Sequence, residues 1–316
     1  MLHELAQRGT VTETARVLHY TPSAVSQQLA VLEKEVGAAL FEKIGRRLRL
    51  TETGRLLAAH AGEILEAEER TRIALEEART TITGELLVGM VATVASGPLP
   101  RILEKLAVSH PGITVVTAET DPEAAAIAVR HGDLDLAFVL DYPDVPGGQP
   151  VATGDFVPTL IGVEPMYAAT RAGTLPGDGP EIGLAALADL PWIVSGPGTE
   201  LGRRVRAACQ DAGFVPRVTH QVDEHATAMS MVAAGLGVTL VPGLALSYAP
   251  PGLDIARVTP RMRRRIFLAG RRPALRRPAL RAFLSTAVET ATEFDLWTEA
   301  DPAPFHPDWP EVGAES

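Results

Sequence analysis

Ser23, Ser26 and Gln27 lie close together in a short stretch, and Arg46, Arg47 and Arg49 follow after a gap. Serine and glutamine can hydrogen-bond base edges or phosphates, and arginine pairs with phosphates and is drawn into narrow minor grooves. Together these side chains could read and grip a DNA duplex. They need a helix to carry the first set and a strand to carry the second.

The helix is predicted over Ser23 to Val36, where Val25, Leu29, Leu32 and Val36 recur at spacings of four, three and four. Ser23, Ser26, Gln27, Ala30 and Lys34 then point away from that stripe. Small residues on the outer face let the backbone approach a groove. Thr21 fits the N-cap and Pro22 the first helical position, and the free N–H groups there can meet a phosphate. A shorter helix is predicted over about Thr12 to Leu18, with small Ala15 where two helices cross and a turn at His19-Tyr20. A generic helical hairpin would give the same periodicity. Gly45 can supply a turn, and Arg47 and Arg49 alternate with Leu48 and Leu50 as in a half-buried strand. Two helices, a tight turn and an arginine hairpin form the layout of a winged helix-turn-helix.

The chain has 316 residues, 46% hydrophobic and 22% charged, as expected of two or three globular domains. Net charge is −10, which argues against indiscriminate coating of nucleic acid. The charge is unevenly spread: Lys43, Arg46, Arg47, Arg49 and Arg55 stand against the single acid Glu52. No apolar run is long enough for a membrane span and no secretory leader is visible, so a cytoplasmic location is expected. The single cysteine, Cys209, suits a reducing compartment and reads as a small apolar residue rather than a redox sensor.

From Glu52 to Ile82 there is no proline. Leu57, Ala61, Ile64, Glu68, Thr71, Leu75, Ala78 and Ile82 form a heptad seam, interrupted by polar Glu68 and Thr71. This predicts a helix about 45 Å long. Its reading as a dimerisation helix rests on Leu57, Ala61, Ile64, Leu75, Ala78 and Ile82; a helix packed on its own chain is the alternative. After Gly84, strand and helix patterns alternate to the end of the helix predicted over Pro278–Phe294. The strands are Glu85–Thr93, Ile113–Glu119, Leu134–Leu140, Leu160–Thr170, Trp192–Ser195, Arg217–Val222, Val238–Val241 and Ile266–Ala269. That order implies a mostly parallel sheet in two α/β halves, with a late return to the first and a cleft between them.

Residues 14–54, TARVLHYTPSAVSQQLAVLEKEVGAALFEKIGRRLRLTETG, resemble the DNA-binding head of the LysR-type transcriptional regulators. GELLVGMV, HPGITV, HGDLDLAFV and AAGLGVTLVP stand where relatives carry similar motifs, so the resemblance covers nearly all of residues 1–294. It implies an α/β fold with three parts. A winged helix-turn-helix occupies 1–54, a linker and dimerisation helix 55–83, and a two-subdomain effector-binding domain of periplasmic-binding-protein type 84–294. Subdomain I spans about 84–162 and 265–294, subdomain II about 163–264, and 295–316 reads as a disordered tail. The resemblance further implies that Thr21, Pro22, Ser23, Ser26, Gln27 and Gln28 contact DNA, that Arg46 and Arg47 form the wing, and that the protein pairs as a dimer or tetramer. Many relatives have Gln or Arg where this chain has Pro22 and Gln27, so no operator sequence carries over. Relatives also carry more first helix than Leu2, Leu5 and Ala6 before Gly9.

Ligands of open α/β sheets sit at the carboxyl ends of strands. That rule selects Thr93, Ala95 and Ser96, then Thr120 and Asp121, then Asp141 and Tyr142, then Ser195, Gly196 and Thr199, with Asp223–His225 as a further candidate. Ser, Thr and Asp also cap helices for structural reasons alone. Asp141 stands where some relatives have Arg; with Asp121, it points away from a carboxylate effector and toward an amine or neutral one. The spacing of His220, Asp223 and His225 matches no metal-binding pattern. Gly235-Leu236-Gly237 lacks the third glycine of a dinucleotide loop, and Ser195 lacks the surroundings of an elbow nucleophile. No catalytic residue, metal or cofactor is therefore expected. The arginine-rich stretch Arg261–Arg281, which holds no acid, reads as a solvated strand and helix rather than a second DNA surface. The expected function is sequence-specific regulation of transcription modulated by a small-molecule effector. The expected partners are double-stranded promoter DNA, the effector and a second copy of the chain, with RNA polymerase as a further candidate. The alternatives are an architectural DNA-binding protein without effector, or an enzyme acting on a small molecule.

Overall fold

The structure is a computed structural model and describes residues 1–44, 47–77, 82–145, 156–177 and 179–294. The chain divides into two compact units, Met1–Thr80 and Thr81–Ser316.

The first unit runs α1 (Leu2–Arg8), α2 (Val11–Val17), α3 (Pro22–Val36), β1 (Phe41–Ile44), β2 (Arg47–Leu50) and α4 (Glu52–Glu77). The Thr10 hydroxyl caps α2 by accepting from the Glu13 N–H, and Thr21 caps α3 by accepting from Ala24 with Pro22 at the first position. Between the two helices the Tyr20 N–H donates to the Ala15 carbonyl at 2.9 Å. Leu2, Leu5, Ala15, Val25, Leu29, Leu40 and Ala58 form the buried core. Val36 is exposed at the last turn of α3, so the apolar stripe ends at half-buried Leu32. Gly37 closes α3 at φ 70, the left-handed conformation that glycine adopts without penalty. The chain then turns into β1, paired antiparallel with β2. Leu48 and Leu50 pack toward the core and Arg49 faces out.

Glu33 fixes that turn. One carboxylate oxygen accepts from the Leu40 and Phe41 N–H groups at 2.7 and 3.1 Å, tying the reading helix to the hairpin. Gly54 permits the next close contact, since a Cβ there would collide with the Leu40 carbonyl.

Helix α4 packs on this core over about its first three turns, with Ala58 buried in it. Leu57 packs against the core of the first unit, Ala61 is half-buried, and the Gly62 Cα faces the His3 ring. Further along, Ile64 is 69% and Leu75 66% exposed. Ala78 lies outside the described residues. Ile82 is not helical and packs against the core of the second unit, so it does not extend the helical stripe. An apolar side chain that close to the first strand is better covered there than in water.

The second unit runs β3 (Gly84–Met90), α5 (Ala92–Ser96), α6 (Pro98–Ser109), β4 (Ile113–Glu119), α7 (Pro122–His131) and β5 (Leu136–Asp141). It continues with β6 (Phe156–Arg171), β7 (Glu181–Gly183), β8 (Pro191–Val194), α8 (Glu200–Asp211), β9 (Arg217–Gln221), α9 (His225–Ala233), β10 (Thr239–Pro242), β11 (Leu253–Thr259), β12 (Arg263–Arg271) and α10 (Pro278–Ala291). The main sheet has the order β4-β3-β5-β12-β6-β11-β7, with β10 also on β6. β3 runs parallel to β4 and β5, whereas β12 is antiparallel to β5 and β6, and β10 and β11 are antiparallel to β6. The sheet is thus mixed rather than mostly parallel, because strands that carry the chain between halves must run both ways.

β6 makes the outward crossing: its first part pairs with β12 and its second with β10 and β11. One core, with Leu86, Ile102, Phe138, Ile266 and Phe283, fills the first half. Another, with Met166, Leu187, Trp192, Cys209 and Leu240, fills the second. Among the described residues no helix is long and apolar enough to cross a membrane. The proposed tail, 295–316, lies outside the described residues.

Replacing Glu33 by Ala strands two N–H groups that now share a charged acceptor, at a cost of about 1–3 kcal/mol. The urea midpoint of the first unit is expected to fall for Glu33→Ala and to stay near its original value for Glu33→Gln. An unchanged midpoint for Glu33→Ala would remove the turn-fixing role.

Candidate functional site

Two surfaces gather the candidate residues. On α3, Thr21, Pro22, Ser23, Ser26, Gln27 and Gln28 are all exposed, while Val25 and Leu29 between them are buried. The Thr21 hydroxyl lies 3.0 Å from the Ser23 hydroxyl. The surface is small and polar and backed by a rigid core, as a groove-reading helix requires. Arg46 lies outside the described residues, as does the side chain of Arg47.

The second surface is a cleft of about 1330 Å³ between the halves of the second unit. Thr93, Asp121, Asp141, Ser195, Thr199 and Asp223 line it. Ala95 and Ser96 are not in its lining. The first strand ends at Met90 and the chain turns at once into α5, which carries Ala95 and Ser96 past the cleft. The Ser96 hydroxyl instead donates back to the Ala92 carbonyl.

Several of these residues build the cleft walls. The Thr199 hydroxyl caps α8 by accepting from Gly202 and donates to the Gly196 carbonyl. A Cβ on Gly202 would fall almost on the Gly196 carbonyl, so glycine is what lets the helix start this close to the loop. Asp223 accepts from the Gly196 N–H at 2.9 Å, and the Ser195 hydroxyl donates to the Val222 carbonyl. Asp121 accepts from the Ala124 N–H at the start of α7. Asp141 is bonded to Arg265 on the neighbouring strand, so its charge is matched from within the chain.

The cleft floor holds a residue that the strand-end rule does not select. Arg264 is 1% exposed and lines the cleft. Its Nε donates to Glu164 at 2.7 Å and a terminal nitrogen donates to the Thr93 hydroxyl at 2.9 Å. The other Glu164 oxygen accepts from the Leu244 N–H at 2.6 Å. Burial works against the Arg264 charge, but the adjoining Glu164 carboxylate outweighs it and raises the pKa. Nearby, burial pushes the Tyr142 hydroxyl up to about 12. Burial, with Arg264 adding to it, pushes His225 down to about 3. Both are therefore neutral at pH 7. Among the described residues no group of three or more His, Cys, Asp or Glu is placed to hold a metal ion.

The model of the bacterial regulatory helix-turn-helix protein, lysR family, matches residues 1–55, and that of the LysR substrate binding domain matches residues 79–292. The chain belongs to the LysR family of transcription regulators. Among curated relatives, a probable hydrogen peroxide-inducible genes activator of Mycobacterium avium is 30% identical over 241 residues, covering 75% of this chain and 74% of that protein. The transcriptional dual regulator GltC of Bacillus subtilis is 27% identical, covering 80% and 82%. The solved structure of a full-length OxyR variant from Pseudomonas aeruginosa superposes with a TM-score of 0.66 at 22% identity, covering 95% of this chain and 96% of that one. The regulator is thus a DNA-binding protein with an effector-binding domain, built like full-length members of its family. Such regulators bind DNA and form oligomers.

Removing Glu164 alone leaves the buried Arg264 guanidinium uncompensated, which costs about 3–5 kcal/mol; replacing both partners with apolar residues of similar volume costs far less. Urea unfolding followed by fluorescence of buried Trp192 is expected to rank Glu164→Gln below the Glu164→Met/Arg264→Met pair. Equal midpoints would show that the charge pairing is not what matters there.

Proposed function

We propose that this regulator reads a partly palindromic promoter element as a dimer or tetramer, and that a small molecule in the cleft shifts the two halves and so the arrangement of the DNA-binding heads. The observation that carries the effector reading is the cleft itself: it is open, lies where the chain crosses between two separately cored halves, and has a polar network at its floor. A ligand that contacts both halves binds one relative position better than another, and that difference is what shifts a population. On this reading the first half spans about 84–162 with 265–294, and the second about 163–264. The architectural alternative without effector fits less well, since it gives the cleft no use.

For DNA we propose that Ser23, Ser26, Gln27 and Gln28 read bases or phosphates, that Thr21 and Pro22 set the helix start against a phosphate, and that Arg46 and Arg47 grip the backbone. The proposed pairing surface on α4 centres on Ile64 and Leu75, which are otherwise left in water. Contact with RNA polymerase and action in the cytoplasm follow from the same reading. In gel shifts, Arg46→Ala is expected to weaken binding to all duplexes roughly equally and to flatten the salt dependence, while Gln27→Ala changes sequence preference. Identical behaviour of the two variants would contradict this division of labour.

A relative's name includes hydrogen peroxide, which raises thiol sensing as a second reading. Cys209 does not favour it. It is the only cysteine in the chain, is fully buried on α8, and burial pushes its thiol up to about 12, with Arg206 offsetting only part. The thiolate is the reactive form. Native protein at pH 7.5 is therefore expected to resist iodoacetamide until urea is added, and Cys209→Ser to leave DNA binding unchanged with or without peroxide. Rapid alkylation of the native protein would reopen thiol sensing.

A further inference from the structure

Three polar side chains meet at the floor of the cleft and are almost fully buried. Thr93 is 2%, Tyr142 3% and Arg264 1% exposed, and all three line the cleft. Their hydrogen-bonding capacity is unevenly used. Arg264 can only donate. It donates to Glu164, to the Thr93 hydroxyl and to the Tyr142 hydroxyl. Thr93 and Tyr142 therefore receive a hydrogen bond on oxygen and keep their own protons to give. Among the described residues neither O–H has an acceptor. A buried donor left without one is costly, and folded proteins keep few of them. Glu164 does not serve: one of its oxygens is taken by Arg264 and the other by the Leu244 N–H. It does cancel the Arg264 charge. The floor is thus rich in donors, poor in acceptors and without net charge.

We infer that the effector of this regulator presents an uncharged carbonyl oxygen, as in an amide, ester or ketone, to the hydroxyls of Thr93 and Tyr142. The inference rests on reading this cleft as the effector site. A carbonyl oxygen has two lone pairs and can accept from both hydroxyls, which touch the same guanidinium. A carboxylate would set a second negative charge beside buried Glu164, with the single Arg264 charge to share. An ammonium has no lone pair and would face a guanidinium and two O–H protons. A ligand hydroxyl would bring a proton of its own to a floor that lacks acceptors. The same contact links the two halves. Thr93 lies on α5, whose Val94 packs in the first core, whereas Tyr142 packs in the second. One acceptor held from both sides favours one relative position of the halves, which is what a shift in population requires.

The test uses full-length protein, ligand-observed NMR titration and three probes of similar shape: phenylacetamide, phenylacetate and phenethylamine. The amide is expected to bind about ten-fold or more tighter than the acid and the amine. Thr93→Ser keeps the hydroxyl and is expected to keep the affinity, while Thr93→Val and Tyr142→Phe each weaken the amide about ten-fold. Melting curves check that each variant folds, and if one of the last two does not melt cooperatively the other decides. The inference falls if the acid or the amine binds as tightly as the amide, or if none of the three binds. It also falls if a folded Thr93→Val or Tyr142→Phe variant binds the amide as well as the original protein. If the acid binds best and Arg264→Met abolishes it, the cleft remains the ligand site and only the assigned class is wrong. If the amide binds through both hydroxyls yet leaves the DNA footprint unchanged, the ligand class stands and the regulatory reading of the cleft falls.

Discussion

The ion pair between Glu164 and Arg264 sits where the chain has least freedom. β6 and β12 lie side by side where the chain crosses between the halves, and each contributes one partner. Glu164 reaches the Leu244 N–H, and Arg264 reaches the Thr93 hydroxyl on α5. Both charges are almost fully buried. Neither could stay ionised there alone, since an isolated buried charge costs several kcal/mol. The pair therefore constrains geometry, since breaking it strands a buried charge. A small relative movement of the halves must keep these four groups bonded or leave a charge without a partner. This gives the crossing between the halves a defined geometry.

Much of the fold was legible in the residues. The cap at Thr21 with Pro22 behind it, and the spacing of Val25 and Leu29, are local signals, and local signals fix a helix end. The strands Ile113–Glu119 and Arg217–Gln221 follow equally local apolar and alternating patterns. What escaped depends on distant contacts. β7 is a three-residue strand that exists only because it pairs with β11. Ile82 fits a heptad seam by number, but its side chain finds a closer apolar core. The split of the first strand and helix at Val91 was hidden because ATVASGPLP reads as a continuation of the strand into one helix.

The cleft was legible in part for a related reason. Strand ends point to loops, and that rule found Thr93, Asp121, Asp141, Ser195, Thr199 and Asp223. It cannot find a residue in mid-crossing whose side chain turns inward. A usable signal did exist. Glu164 is the lone acid within the apolar run LIGVEPMYAAT, and Arg264 has the strand parity of the inward-facing Ile266 and Leu268. A buried acid and an inward-facing arginine in two strands that must both cross between halves demand each other. The charge of Asp141 was legible but its partner was not, because Arg265 lies far away in sequence and adjacent in the sheet.

The stretch Arg261–Arg281 shows how pairing decides what a charged sequence does. Its nine arginines could have made a second basic surface. Instead Arg263 is bonded to Asp144, Arg264 to Glu164, Arg265 to Asp141 and Arg277 to Asp135. Those guanidiniums are spent inside the α/β unit, where they fasten strands and loops. Their field toward a phosphate backbone is largely cancelled by carboxylates a few ångströms away. In the head the balance is reversed. Arg49 is exposed, and the surrounding stretch holds few acids to oppose it. A chain with net charge −10 can therefore attract DNA at one unit, because the field that matters there is local rather than that of the whole chain.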